Sequence, residues 1–335
     1  MTVRWEDLNA RARGLATHLL SGPQVTMLAQ APDAAALGEA LRHYGYPLEE
    51  GAASPAVLEL ALRRMAADRL RLLARWCGPR AGVLAVLFED EDRRSLRALL
   101  RGTLQHAPAE LRVAGLIPTP TLPERALREL ADQATPAAVA ALLTAWRNPY
   151  GSAILAAASA AQPDLLTLEL LINRTFATRA SHAARGAGLL ADYVRETVDL
   201  ENAYTALVLA EEGRDVSPRE TFLAGGRHLS QAAFEAACAA GSAAGAGRHI
   251  AAAFVNTHFG PVFARPSGDA GLETAVLRAR IHSLVRAGRV HPLGPAPLLT
   301  YALRLRAETL DVQRIIWGVA LQAPRAGLGR DMVTV

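Results

Sequence analysis

DYVRETVDLENAYTALVLA, residues 192–210, places apolar residues at three- and four-residue steps, the pattern of one buried helix face. Asp199, Glu201 and Asn202 interrupt that face with polar groups. Such a cluster reads as a catalytic carboxylate site, a metal site or a structural signature. Recurrence separates these readings, because a structural signature of a repeated unit returns at a fixed interval along the chain.

The acid recurs. Asp199 lies 107 positions after Asp92 and 109 before Glu308, in the stretches DRRSLRALL (92–100), DLENAYTAL (199–207) and ETLDVQRII (308–316). Each begins with an acid, carries a small polar or acidic residue three later, and ends in an apolar pair. A second landmark keeps the same order. LELALRRMAADRLRLL (58–73), LELLINRTFATRASHA (168–183) and LETAVLRARIHSLVRA (272–287) each open on Leu-Glu and are spaced as helices with arginines on the outer face. Two landmarks in the same order at nearly constant spacing define a diverged triplication.

Two of the repeats also begin alike. GLIPTPTLPERALREL (115–130) and TFLAGGRHLSQAAFEAA (221–237) each run apolar, turn, helix. Thr121 with Glu124 has capping-box spacing, and Ser230 suits a helix N-cap. The first repeat begins instead on a helix containing LNARAR (8–13). AGVLAVL (81–87) runs without a break into the acid-led segment and is read as helix rather than strand. The expectation is an all-α protein of three helical units, residues 1–107, 108–214 and 215–335, with linkers near 105–120 and 212–220. Three similar units are expected to pack about a pseudo-threefold axis as a cup or funnel.

Composition agrees with helix. Hydrophobic residues make up 51% and aromatics only 5% of the 335 residues, so alanine and leucine must fill the core. All 36 basic residues are arginine, and the net charge is +4. That balance permits contact with an acidic protein surface or anionic headgroups, but no dense basic stripe marks a nucleic-acid groove. Cys77 and Cys238 are too few for a disulfide framework or a four-cysteine zinc site. Residues 1–20 lack the apolar core of a signal peptide, and stretches such as SAILAAASAA (152–161) are too short to span a bilayer. A cytoplasmic location is expected.

The remaining chemical readings are weak. FEDED (88–92) is similar to the aspartate-rich Mg²⁺ sites of all-α isoprenoid synthases, but that chemistry needs a second facing acidic cluster. Asp199 and Glu201, two positions apart, do not share a helical face. FEDED is better read as a solvated helix start beside the positive dipole end. Gly225-Gly226 can cradle a phosphate, or simply turn the chain before a capped helix. AACAAGSAAGAGRHIAAAF (236–254) allows close helix approach; its glycines, each weakening a helix by about 1 kcal/mol, favour mobility and a bend in the third repeat. His249 and His258 belong to no metal-ligand spacing, and no nucleophile–base pair, GxSxG, Walker A or GxGxxG motif is present.

At this point the stretches LNARAR (8–13), SLRALLR (95–101), DYVRETVDLENAYTAL (192–207), FLAGGRHLS (222–230) and PLLTYALRLRAETLDVQRIIWGVAL (297–321), in that order, carry a likeness over nearly the whole chain. The sequence resembles the C subunit of V/A-type rotary ATPases, the equivalent of the d subunit in eukaryotic vacuolar ATPases (the AC39 family). GLGRDMV (327–333) matches the family's tail loosely. Ser95 and Asp311 stand where the family typically has the asparagine kept at Asn202, and a basic residue expected near Tyr204 is absent. The resemblance implies a socket that binds no nucleotide and conducts no protons. It would sit on the membrane rotor ring, receive the central shaft, and lie peripherally on the cytoplasmic face without inserting. No catalytic residue, cofactor or metal is implied. Candidate structural or partner-contact residues are Arg11 and Arg13, Asp92 with Arg101, Asp199 with Asn202, and Glu308 with Arg314. The alternative is a free-standing all-α scaffold or adaptor derived from the family.

Overall fold

The computed structural model describes residues 5–51, 54–80, 82–213, 216–264, 269–328 and 332–334. Regular structure there is helical, with no strand among the described residues. In chain order come α1 (Glu6–Ala16), α2 (Gly22–Leu28), α3 (Ala34–His43), α4 (Pro55–Cys77) and α5 (Gly82–Leu104). Next are α6 (Ala109–Arg112), α7 (Glu124–Ala131), α8 (Pro136–Ala145), α9 (Pro149–Ala158), α10 (Leu165–Ala183) and α11 (Gly188–Glu212). Then follow α12 (Pro218–Thr221), α13 (Gln231–Cys238), α14 (Ala243–Ala253), α15 (Gly260–Ala264), α16 (Asp269–Val290), α17 (Ala296–Ala320) and α18 (Arg325–Leu328). The order recurs three times: a set of short helices, then a pair of long ones, α4–α5, α10–α11 and α16–α17. Asp92, Asp199 and Glu308 each fall near the middle of the second long helix of a pair.

The chain gathers into two compact units. One joins both ends of the sequence, Met1–Ala81, Gly115–Pro118 and Ser267–Val335. Within it α17 packs against α4, α16 and the short helices α1, α2 and α3. The first short set therefore rests on the last long helix. Its core is aliphatic: Leu20, Val25, Leu28, Leu37 and Leu41 meet Leu58 and Leu62 of α4 and Val312, Ile315 and Ile316 of α17, all buried. At about 25 cal/mol per Å² of apolar surface, contacts of this kind carry the unit. Local chemistry sets the short helices. Ser21 and Gln24 form a reciprocal cap on α2, and the Asp33 carboxylate accepts the Ala36 N–H to start α3.

The second unit holds Gly82–Ala114 and Thr119–Pro266. In it α10 packs against α5, α9 and α11, while α13 and α14 pack on α11. Much of the scarce aromatic content collects in its third short set, where Phe254 stacks on Phe263 and meets Phe259 edge-on.

Several local expectations are corrected. FEDED is no solvated helix start: α5 already begins at Gly82, and Asp90, Glu91 and Asp92 are buried in mid-helix. Of the apolar run AGVLAVL, Ala81 lies outside the described residues, and Gly82 to Leu87 extend the helix N-terminally and carry the acids inward. Thr121 caps nothing, because α7 starts after Pro123 and the Thr121 hydroxyl is used elsewhere. Ser230 does cap α13, accepting the Ala233 N–H at 3.3 Å. The small-residue stretch breaks at Gly241, with φ +69°, but its continuation α14 buries Gly245, Ala246, Gly247 and Ile250. Close packing against α11 offsets the glycine penalty there. Residues 214–215 of the second expected linker and 329–331 of GLGRDMV lie outside the described residues.

Candidate functional site

Asp199 and Asn202, both fully buried, lie one helical turn apart on the face of α11 that meets the segment before α13. The Asp199 carboxylate accepts three backbone N–H groups, from Arg227 at 2.9 Å, His228 at 2.9 Å and Leu229 at 3.1 Å. Asn202 bonds Leu223 twice, donating to its carbonyl at 2.9 Å and accepting its N–H at 2.8 Å. The glycine pair before these donors fits around the carboxylate. Gly225 has φ +109°, and a Cβ on Gly226 would lie 2.0 Å from Asp199 Oδ1. The turn does form a nest of N–H groups suited to an anion, but the anion is the chain's own. The partner of this pair is the backbone of a turn rather than a neighbouring helix.

The corresponding acids do related work with different partners. Asp92 accepts the hydroxyls of Thr119 and Thr121, which lie in the segment before α7. Burial pushes its carboxyl up to about 7 against the lowering effect of both hydroxyls. Glu308 accepts the Leu20 N–H before α2, the Tyr46 hydroxyl at 3.2 Å and the Arg69 guanidinium at 2.7 Å. Burial raises its carboxyl, and Arg69 only partly counters this. In all three places a long-helix acid fastens the segment between the first and second short helices of a set. The position three residues on diverges. Ser95 is buried with no partner for its hydroxyl among the described residues, while Asp311 accepts the N–H groups of Val333 and Thr334 at 2.8 Å each.

A second polar cluster joins α5, α10 and α11. Arg93 is 1% exposed and pairs with Asp90 at 2.8 Å and Glu201 at 2.6 Å, with its guanidinium 5.0 Å from the centre of the Phe176 ring. Arg97 bridges Glu201 at 2.7 Å and Glu169 at 2.9 Å, and Asn173 bonds both members of the Arg93–Glu201 pair, accepting from the arginine and donating to the carboxylate. Tyr193 donates to Asp90 at 2.8 Å. Burial alone would raise the Glu201 carboxyl, yet Arg93 and Arg97 outweigh it and hold it at about 2. Of the acids of FEDED, Glu89, Asp90 and Glu91 thus face arginines and tyrosines, and Asp92 faces two threonines. Among the described residues no group of three or more His, Cys, Asp or Glu side chains is placed to hold a metal.

Of the other singled-out residues, Arg101 joins the rim of this cluster and the rest lie on α1 and α17. Arg11 and Arg13 are exposed on α1, with the Arg11 guanidinium 5.3 Å from the centre of the Trp76 ring. Arg101 reaches Glu169 at 2.8 Å from a half-exposed position, and Arg314 is half-buried on α17. An open cavity of about 720 Å³ lies against Gly186, Ala187, Asp192, Arg195 and Arg227, where Asp192 pairs with both arginines at 3.1 and 3.2 Å. Sequence reading missed Glu59, which accepts the Gly115 N–H and the Trp317 indole N–H at 2.8 Å. Its place in the Leu-Glu landmark was the available signal. It also missed Arg93 and Glu201 as a pair, since nothing local links residues 108 apart in sequence.

Known proteins supply the last observation. Residues 8–328 match the family described as ATP synthase (C/AC39) subunit. Over 294 residues, covering 83% of this chain and 80% of the relative, the sequence is 24% identical to a protein of Halorubrum lacusprofundi named as the C subunit of an A-type ATP synthase.

Proposed function

Since this chain belongs to the ATP synthase (C/AC39) subunit family, a structural and non-catalytic component of that complex, we propose that it is the central-stalk socket of a V/A-type rotary ATPase. In this reading it receives the foot of the shaft and sits on the membrane rotor ring at the cytoplasmic face, so that the two turn together in ATP-linked ion transport. The family match over residues 8–328 carries the proposal. Among the described residues no helix is long and apolar enough to cross a membrane, which suits attachment through the ring. A torque-bearing part must not shear internally, and buried carboxylates fastening turn to helix at Asp92, Asp199 and Glu308 serve that need.

The division into three repeats, residues 1–107, 108–214 and 215–335 about a pseudo-threefold axis, belongs to the same proposal. So do Arg11, Arg13, Arg101 and Arg314 as partner contacts. The test is affinity purification of the tagged chain from native membranes, followed by identification of the co-purifying subunits. Shaft and ring subunits in stoichiometric amounts are the expected result. A chain that elutes free of every ATPase subunit would be the diverged scaffold instead.

A further inference from the structure

Between Glu273 and Glu308 the chain runs 34 residues without an acid while carrying six arginines and two histidines. This stretch covers most of α16, the connection, and the first half of α17. Arginines are favoured in the last turn of a helix by its dipole, which accounts for Arg289. The dipole does not account for the start of α17, where acids would be favoured and none is present. The corresponding connections, residues 69–88 and 170–191, are also acid-free and hold four and three arginines.

The α16–α17 connection differs from these two in what it adds to charge. Val290 and Leu293 are 71% and 63% exposed, two of the four most exposed large apolar side chains among the described residues. Arg286, Arg289 and His291 beside them are exposed as well. Neither arginine forms an ion pair or a side-chain hydrogen bond among the described residues. The turn itself is fixed. Gly294 N–H bonds the His291 carbonyl at 3.0 Å, and the Asn9 amide from α1 donates to the carbonyls of Pro292 at 3.1 Å and Gly294 at 3.0 Å. Leu293 is therefore held outward between two anchored carbonyls.

From this geometry we propose that the α16–α17 connection docks on an anionic phospholipid surface, with Arg286 and Arg289 at the phosphates and Val290 and Leu293 at the headgroup–acyl boundary. An acidic protein surface would satisfy the arginines and leave the two apolar side chains in water. A lipid interface takes both. The inference rests on charge and exposure at this turn and goes beyond the socket role, without depending on it.

The test is co-sedimentation of the full-length chain with phosphatidylcholine vesicles, and with the same vesicles carrying phosphatidylglycerol, at low and high salt. Binding is expected only to the anionic vesicles, weakening as salt rises. Each surface arginine contributes roughly a fivefold factor, so Arg286→Gln with Arg289→Gln is expected to cost roughly twenty-five-fold. Val290→Ser with Leu293→Ser is expected to cost roughly tenfold. Arg125→Gln, at a side chain 90% exposed on α7, should change nothing. All four substituted positions at the turn are exposed, and unchanged circular-dichroism melting checks that the variants fold. Equal binding to neutral vesicles, no binding at all, or a loss as large for Arg125→Gln would overturn the proposal. Full binding by the serine variant would also overturn it, because charge alone would then hold the chain to the vesicle and the two apolar side chains would have no part in it.

Discussion

Asp92 and Asp199 hold matching places in α5 and α11, yet one meets two threonine hydroxyls and the other three backbone N–H groups. A hydroxyl both donates and accepts, so the Asp92 site accommodates a protonated carboxyl, and burial pushes that carboxyl up to about 7. A backbone N–H only donates, so the turn around Asp199 is built for an acceptor and nothing else. Equal position along the repeat thus fixes where an acid stands, while the partner segment decides what its charge costs.

The largest expected effect comes from removing the acceptor. Asp199→Ala leaves three N–H groups of the turn without a partner and should lower stability by roughly 3–5 kcal/mol. Chemical denaturation of the isolated chain measures this, with the exposed Glu211→Ala as a silent control. Unchanged melting of Asp199→Ala would refute the structural reading of the cluster.

Next in size is a pH effect confined to the other acid. The folded-state pKa of Asp92 near 7 lies above its ordinary value of 3.8, so the fold holds a proton that the unfolded chain releases. Its contribution to stability is complete below about pH 4 and is lost as pH rises through 7. Between pH 5 and pH 7 the loss is about 2 kcal/mol. Asp92→Asn should flatten that part of the stability–pH curve relative to wild type. Parallel curves for the two proteins would show that Asp92 is ionised throughout.

Gly226→Ala sharpens the comparison further. The added Cβ collides with Asp199 Oδ1, and a cost of about 1–2 kcal/mol is expected. Placed on Asp199→Ala the same change should cost almost nothing, and a double-mutant cycle reads the difference. Smallest is Ser95→Ala. Its hydroxyl is buried without a partner, so the substitution should be neutral or stabilise by a few tenths of a kcal/mol. Its counterpart Asn202→Ala should cost about 2 kcal/mol, because it strands both polar groups of Leu223.

The helices and their order were legible because periodicity is a local property. The Leu-Glu and acid-led landmarks fall in the three pairs of long helices, and Ser230 caps where it should. What was not legible is who faces whom across long separations. No local pattern tells that Glu89 bonds Arg179 and Tyr150 and the buried Asp90 bonds Tyr193, or that Thr121 serves Asp92 rather than α7. Composition misled at residues 236–254, where glycine reads as weakness until a partner helix is present to fill the space it leaves. The acids of the long helices were found as landmarks, but their bonds to turn backbones were not, since backbone donors are silent in sequence.

The bond from Leu20 N–H to Glu308 spans 288 positions and bears on the order of events as the chain is made. Ribosomes add roughly 5–20 residues per second, so α2 and α3 emerge some tens of seconds before the helix that receives them. During that interval Val25, Leu28, Leu37 and Leu41 lack their partners Val312, Ile315 and Ile316. The middle unit, uninterrupted but for Gly115–Pro118, has its whole sequence available earlier. Synthesis therefore makes the whole of the second unit available while the beginning of the chain, with only α4 to pack on, still waits for its last partner helix.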